Sequence, residues 1–426
     1  MIDINIIREK PEYVKEALKK KLWDVDFTEL LTLDGEKRKL LKIVEDNKAT
    51  QNKLSASVPQ VKKEGGDVNA IFAQVKQIAK NNAEFEGKLK EIDEKINSIL
   101  VVLPNIPDDD LVGGGKENNK VIHTFGKKPE FAFKMKDHVE LATSLGLVDY
   151  DRGAKIAGHG SWVYTGLGAQ LEWALINFFI SEHLKDGYQF ILPPHLLNEE
   201  SGYVAGQFPK FKEDVFWLNG LEPQRFLLPT AETALVNLHR NEILSEEELP
   251  KKYFAYTPCY RREAGSYRTE ERGMIRGYQF DKVEMVQYTK PEDSDAAFEE
   301  LVKKASSLVE KLGLHFQISK LAAGDISHSM ARTYDIEVYL PSIGIYKEVS
   351  SASNARDYQA RRGMVRYRDN ETKKTRYVHT LNASGLATSR IFPAILEQYQ
   401  QADGSVLVPE VLQPFMGGIK VLKPIK

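Results

Sequence analysis

Residues 260–288 read YRREAGSYRTEERGMIRGYQFDKVEMVQY. Arg261, Arg262, Arg268, Arg272 and Arg276 gather there around a loop, and residues 282–288 form a β-like run closing it. Guanidinium groups are planar, permanently charged and bidentate, which suits phosphate oxygens. Glu263 and Glu284 offer acceptors close by in sequence, and Phe280 offers an aromatic platform. Composition alone leaves two readings open: an anion-binding hairpin, or a salt-bridged surface hairpin.

Outward from this stretch the chain is mixed. Helical patterns fit residues 170–184 and 295–312, and further β-like runs fall at 190–192 and 336–340. Strands scattered among helices with few regular βαβ units point to α+β, with an antiparallel sheet. The N-terminal part differs. Val68, Ile71, Val75, Ile78, Phe85, Leu89, Ile92, Ile96 and Ile99 step by threes and fours, with Asn82 as the polar insert. That is a coiled-coil seam. Leu33, Leu40, Val44, Leu54 and Val58 keep the same spacing upstream, as do the polar Lys37, Asn47 and Gln51. The Glu64-Gly65-Gly66-Asp67 run between them is a reversal signal. An antiparallel helical hairpin is the economical reading, reaching about 50 Å at ~1.5 Å per residue; a bundle or a dimerisation coil is the alternative. Pro104, Pro107, the aspartates at 108–110 and Gly113-Gly114-Gly115 mark a linker. The expected domains are therefore 1–104 with an arm at about 28–100, a linker at 105–128, and 129–426.

The 426-residue chain is 42% apolar and 28% charged with a formal charge of -2, which suits a soluble protein without a general nucleic-acid coat. A single cysteine, Cys259, excludes an internal disulfide framework and a thiolate-rich zinc site, and fits a reducing cytosol. The charged N-terminus lacks a signal-peptide core, and no apolar run approaches a membrane span. No P-loop, HExxH or CxxC occurs, and no Gly-x-Ser-x-Gly elbow accompanies a triad.

Several motifs, taken in chain order, carry a family resemblance. Residues 260–288 resemble motif 2 of the class II aminoacyl-tRNA synthetases in its seryl version. Gly187-Tyr188-Gln189-Phe190 with Pro193-Pro194 resembles motif 1, the dimer-interface motif. Thr230-Ala231-Glu232 resembles the family's serine loop, residues 346–354 (YKEVSSASN) its metal and ATP strand, and residues 379–390 its motif 3. The opening twenty residues, the hairpin and the LPNIPDDD link at 103–110 also resemble the seryl family.

The resemblance implies ATP-dependent activation of L-serine, transfer to the 3′ end of serine tRNA, and charging of selenocysteine tRNA as well. Arg261 would hold the α-phosphate, with Arg262 beside it. Glu263 would bind the adenine edge, Phe280 would stack on the ring with Gly277 nearby, and Arg390 would cover its other face. Arg276 would meet the γ-phosphate. Glu348 and Ser351, flanking Val349 and Ser350 on the ATP strand, would hold Mg2+. Thr230, Ala231 and Glu232 would take the serine ammonium, while Glu284, Ser384 and Asn382 would take its hydroxyl. The implied partners are serine tRNA, L-serine, ATP and a second copy of the chain, whose tRNA the arm would cross to reach. Neither DNA nor a membrane is expected, nor structural zinc, and the location would be cytoplasmic. Lys42, Lys48, Lys53, Lys62, Lys76, Lys80, Lys88 and Lys95 lie along the arm, where shape and phosphate contacts suit an RNA helix.

Individually these residues have plainer readings. Thr230-Ala231-Glu232 also reads as a helix N-cap followed by a first-turn acid, Glu348 and Ser351 as solvated strand positions, and Arg390 as a helix-end charge. The chain departs from the family at Tyr278, Lys347, Ala383, Ser389 and the AGHGSWVYTG segment at 157–166, and none of these removes a proposed ligand. Three rivals follow: an enzyme of this fold that loads a carrier protein, a non-catalytic RNA-binding or regulatory paralogue, and a coiled-coil scaffold with no chemistry, which nothing beyond residue 130 fits. A long arm argues against the first. Arg261, Glu348 and Arg390 together argue against the second.

Overall fold

The computed structural model describes residues 1–263 and 273–425, so Arg268 and Arg272 lie outside the described residues. The chain divides into two compact units, one of residues 2–16 and 24–103, the other of Met1, residues 17–23 and 104–426.

In the first unit two short helices, α1 (Ile4–Glu9) and α2 (Pro11–Lys20), precede two long ones, α3 (Thr28–Lys63) and α4 (Val68–Leu100). The end of α2 belongs to the second unit. The turn between α3 and α4 is where the Gly-Gly pair predicted it. Gly65 takes φ 73°, open to glycine without strain, and the Asp67 carboxylate caps α4 by accepting from the Asn69 and Ala70 amides. Every seam position of both helices is buried or half-buried, while all eight arm lysines are exposed. The polar inserts pair: Asn47 Nδ2 donates to Asn82 Oδ1 at 2.8 Å. A half-buried amide pair of this kind pins the register of two helices that apolar contacts alone would let slide. Lys37 with Asp93 and Lys48 with Glu86 add ion pairs across the seam.

The second unit is built on an eight-stranded sheet. Its strands are β1 (Lys120–Phe125), β2 (Gln189–Phe190), β3 (Lys251–Tyr260), β4 (Gln279–Thr289), β5 (Phe316–Lys320), β6 (Arg332–Leu340), β7 (Ile345–Asn354) and β8 (His379–Ala387). Their order across the sheet is β1-β5-β6-β7-β8-β4-β3-β2, antiparallel throughout except for the last pair. β1 falls inside the stretch read as linker. Its Lys-Val-Ile-His-Thr-Phe sequence pairs with β5 and forms an edge of the sheet, a local β signal outweighed in the sequence by the prolines and glycines before it.

Along β4 side chains alternate between faces with period two. Val283 and Met285 join the large core under helices α5 (Leu167–Lys185), α7 (Ser294–Lys311) and α9 (Thr388–Gln398). Val286 and Tyr288 join a second core beside α6 (Ala231–Leu235) and α8 (Tyr358–Gly363). On that second face the strand also carries Phe280, Lys282 and Glu284, which line an open cavity. The predicted helices and strands coincide with α5, α7, β4 and β6, with ends shifted by a few residues; the run at 190–192 is a strand only to Phe190.

Candidate active site

Two β-bulges shape the cavity. On β7 the pairs Ile336↔Ser350 and Glu337↔Glu348 leave Val349 as an extra residue. Without it, Glu348 and Ser351, three apart on a strand, would face opposite ways; the inserted residue turns both into the cavity. On β8 the pairs Lys282↔Ala387 and Glu284↔Ser384 leave one residue in excess, so that Asn382, Ser384 and Ala387 share one face. The cavity has a volume of about 650 Å³.

One end of it is a small polar cradle. Lys282 Nζ lies 2.5 Å from Glu284 Oε2 and donates to Thr230 Oγ1 at 2.7 Å. Ser384 Oγ donates to the same Glu284 oxygen at 3.2 Å. Opposite, Glu232 Oε1 accepts from Gln359 Nε2 at 2.8 Å and from Asn382 Nδ2 at 3.1 Å. Gln359 is itself oriented by Thr380 Oγ1, which donates to its Oε1 at 2.6 Å. Burial, then the neighbouring Glu284, pushes the Glu232 carboxyl up to about 7, against the pull of Gln359, Lys282 and Arg261. Two carboxylates facing one lysine leave the cradle one positive charge short, and an ammonium ligand would supply it.

The other end is cationic. Arg261 stacks over Phe280, with its guanidinium 5.2 Å from the ring centre, and its Nε donates to Pro229 O at 3.2 Å. Glu263, at φ 50°, meets Arg276 Nη1 at 2.5 Å. Arg390 Nη1 donates to the Glu348 backbone oxygen at 2.6 Å and lies 3.4 Å from its carboxylate. Arg390 sits in the first turn of α9, where the helix dipole disfavours a cation, so its position there is one the helix alone would not select. Beside it Ser351 Oγ donates to Asp335 Oδ1 at 2.7 Å. Burial and then Glu348 hold the Asp335 carboxyl well above the usual carboxylate range. Asp335 and Glu348 oppose each other in a way a divalent cation would relieve, and with the Ser351 hydroxyl they are hard oxygen donors that fit Mg2+, which takes one or two carboxylates and completes its shell with phosphates and water. Among the described residues no three His, Cys, Asp or Glu side chains converge as a metal site by themselves.

Of the residues singled out in the sequence, Thr230, Glu232, Arg261, Glu263, Arg276, Gly277, Phe280, Glu284, Glu348, Val349, Ser351, Asn382, Ser384 and Arg390 all line this cavity. Three do not. Ala231 is buried in the second core, Ser350 is buried with its hydroxyl donating to Ser384 O, and Arg262 turns outward to donate to Glu213 O. Thr230 also caps α6, so its cap reading holds alongside its place in the cradle. Sequence reasoning missed Lys282, Asp335 and Gln359. The first two had a signal: Lys282 is two residues from Glu284 on a strand, and Asp335 lies on the polar side of the Ile336, Val338, Leu340 alternation. Gln359 had none, being brought in by α8 from a distant turn. Among the departures, Trp162 packs so tightly on Gly277 that a Cβ there would lie 2.2 Å from its ring.

The family profile for the seryl-tRNA synthetase N-terminal domain matches residues 1–107, and that for the tRNA synthetase class II core domain (G, H, P, S and T) matches residues 216–399. The chain is 62% identical over 99% of its length to all of the serine–tRNA ligase 2 of Clostridium acetobutylicum. It is 45% identical, over 98% of its own length and 99% of the relative's, to the serine–tRNA ligase of Thermodesulfovibrio yellowstonii. The crystal structure of seryl-tRNA synthetase from Pyrococcus horikoshii complexed with ATP superposes with a TM-score of 0.91 at 34% identity, covering 100% of both chains.

Proposed function

The chain belongs to the seryl-tRNA synthetase family, and on that premise we propose that it activates L-serine with ATP and transfers the seryl group to serine tRNA, and to selenocysteine tRNA as well. The observation that carries the reading is one cavity with a polar cradle one positive charge short at one end and arginines around an aromatic platform at the other.

In the first step a serine carboxylate oxygen bonds to the α-phosphorus of ATP, and the bond to the pyrophosphate oxygen breaks. The protein supplies no covalent nucleophile; it supplies alignment and charge. Glu232 and Thr230 receive the serine ammonium, and Glu284 with Ser384 and Asn382 receives the hydroxyl. Lys282 aims Glu284. Phe280 stacks on the adenine, Glu263 binds its edge and Arg390 covers the opposite face. Arg261 faces the α-phosphate and Arg276 the γ-phosphate. Glu348 and Ser351, with Asp335 behind them, would hold Mg2+, which when bound neutralises phosphate charge.

A hydroxyl reader made of paired, buried groups rejects a substrate lacking that hydroxyl far more strongly than a hydrophobic pocket rejects a missing methylene. Alanine would offer Glu284 and Ser384 no hydroxyl to bond; threonine would meet the walls. In the second step the terminal ribose hydroxyl of tRNA attacks the seryl carbonyl and displaces AMP. The N-terminal domain, residues 1–104, would grip that tRNA through the exposed arm lysines, residues 105–128 would link it to the catalytic domain at 129–426, and the enzyme would act as a cytoplasmic homodimer through the motif 1 region. The test is ATP–pyrophosphate exchange with serine, alanine, threonine and cysteine. Exchange that is no better with serine than with alanine sinks the reading.

A further inference from the structure

One wall of the amino-acid end of the cavity belongs to no sheet ladder. Residues 327–330 lie between β5 and β6, and Ser327, His328, Ser329 and Met330 all line the cavity. Met330 Sδ lies 3.9 Å from Asn382 Nδ2, the amide that also holds Glu232, so the wall touches the cradle. Its backbone carbonyls are held by Lys21 and Asn105. Lys21 Nζ donates to Ser327 O at 3.0 Å, His328 O at 3.2 Å and Met330 O at 2.9 Å. Asn105 completes the set, with its amide donating to His328 O at 2.8 Å and its Nδ2 to Ser329 O at 2.9 Å. Trp23 sets its ring edge-on against His328, 5.6 Å between centroids.

We infer that Lys21 is a positioning residue for serine binding: its ammonium, with Asn105, holds residues 327–330 against the cradle. An ammonium has three donors and no acceptor, and here it meets three acceptors; no apolar or amide side chain reaches all three. Its partners are carbonyls, and burial followed by repulsion from Lys210 lowers its pKa to about 7. The wall also has little room to relax on its inner side, where a Cβ on Gly206 would lie 2.5 Å from Ser329 Cβ.

This inference rests on the proposed function, since it names what shapes that site's serine end. The test measures KM for serine and for ATP in pyrophosphate exchange, with melting temperature, for the parent, Lys21→Met and Lys21→Arg. Lys21→Met removes three hydrogen bonds and should raise the serine KM about tenfold, since only part of their worth reaches the substrate through the wall. The ATP KM should stay within about twofold, and Lys21→Arg should recover part of the loss. Equal increases in both KM values, or a serine KM within about twofold of the parent, would overturn the inference while leaving the proposed function standing. If Lys21→Met does not fold, Asn105→Ala reads the same wall and must show the same split between the two substrates. A parent enzyme without serine-dependent exchange would overturn both.

Discussion

Glu232 should make serine recognition depend on pH. Its carboxyl, ordinarily near 4.5, sits at about 7 because it is buried beside Glu284. The folded chain therefore holds a proton there that the unfolded chain releases. The stability this gives is present below pH 4.5 and lost as pH rises to 7, worth about 3 kcal/mol in all. An incoming ammonium binds the ionised form and repays that cost. At pH 6 only about one molecule in eleven is ionised, and at pH 8 about ten in eleven, so apparent serine affinity should improve about tenfold across the interval. Serine binding near pH 6 should release close to one proton, counted by calorimetry in two buffers of different ionisation enthalpy, and almost none at pH 8. The serine KM in exchange should fall in parallel while the ATP KM stays flat, and Glu232→Gln should flatten both profiles. A serine affinity independent of pH between 6 and 8, with no proton released, would refute the assignment of Glu232 to the ammonium.

Arg261→Ala should cut exchange by at least a hundredfold with the fold intact, since a preorganised charge contact on a transferring phosphate is worth about 3 kcal/mol or more; activity within threefold would remove Arg261 from the α-phosphate. Glu284→Ala should lower the serine-to-alanine ratio of kcat/KM, and by stripping Lys282 of its buried partner it should also cost about 3–5 kcal/mol of stability; an equal loss for both amino acids would place the hydroxyl reader elsewhere. Asp335→Asn should raise the Mg2+ concentration needed for half-maximal exchange, and an unchanged requirement would exclude it from the metal's surroundings. Replacing residues 35–100 by a short flexible linker should leave exchange largely intact while tRNA charging falls by orders of magnitude and loses its steep salt dependence; equal losses in both reactions would mean that the arm supports the catalytic fold.

Much of this was legible in one dimension, because period and punctuation are local. The arm's seam, the Gly65-Gly66 reversal and the alternating faces of β4 follow from side-chain spacing, and the site side chains surfaced through motif resemblance. What the chain could not show by itself was parity. Glu348 and Ser351 are three apart on a strand, and Asn382, Ser384 and Ala387 break a strict alternation; only a bulge opposite a particular neighbour brings each set to one face. Nor could spacing reveal partners from far away in the chain. Gln359 reaches Glu232 across 127 residues, and Lys21 reaches Met330 across 309. Asp335 titrates high because folding buries it beside Glu348. Local propensity needs only neighbours in sequence, whereas register, desolvation and charge coupling exist only once distant segments are brought together in space.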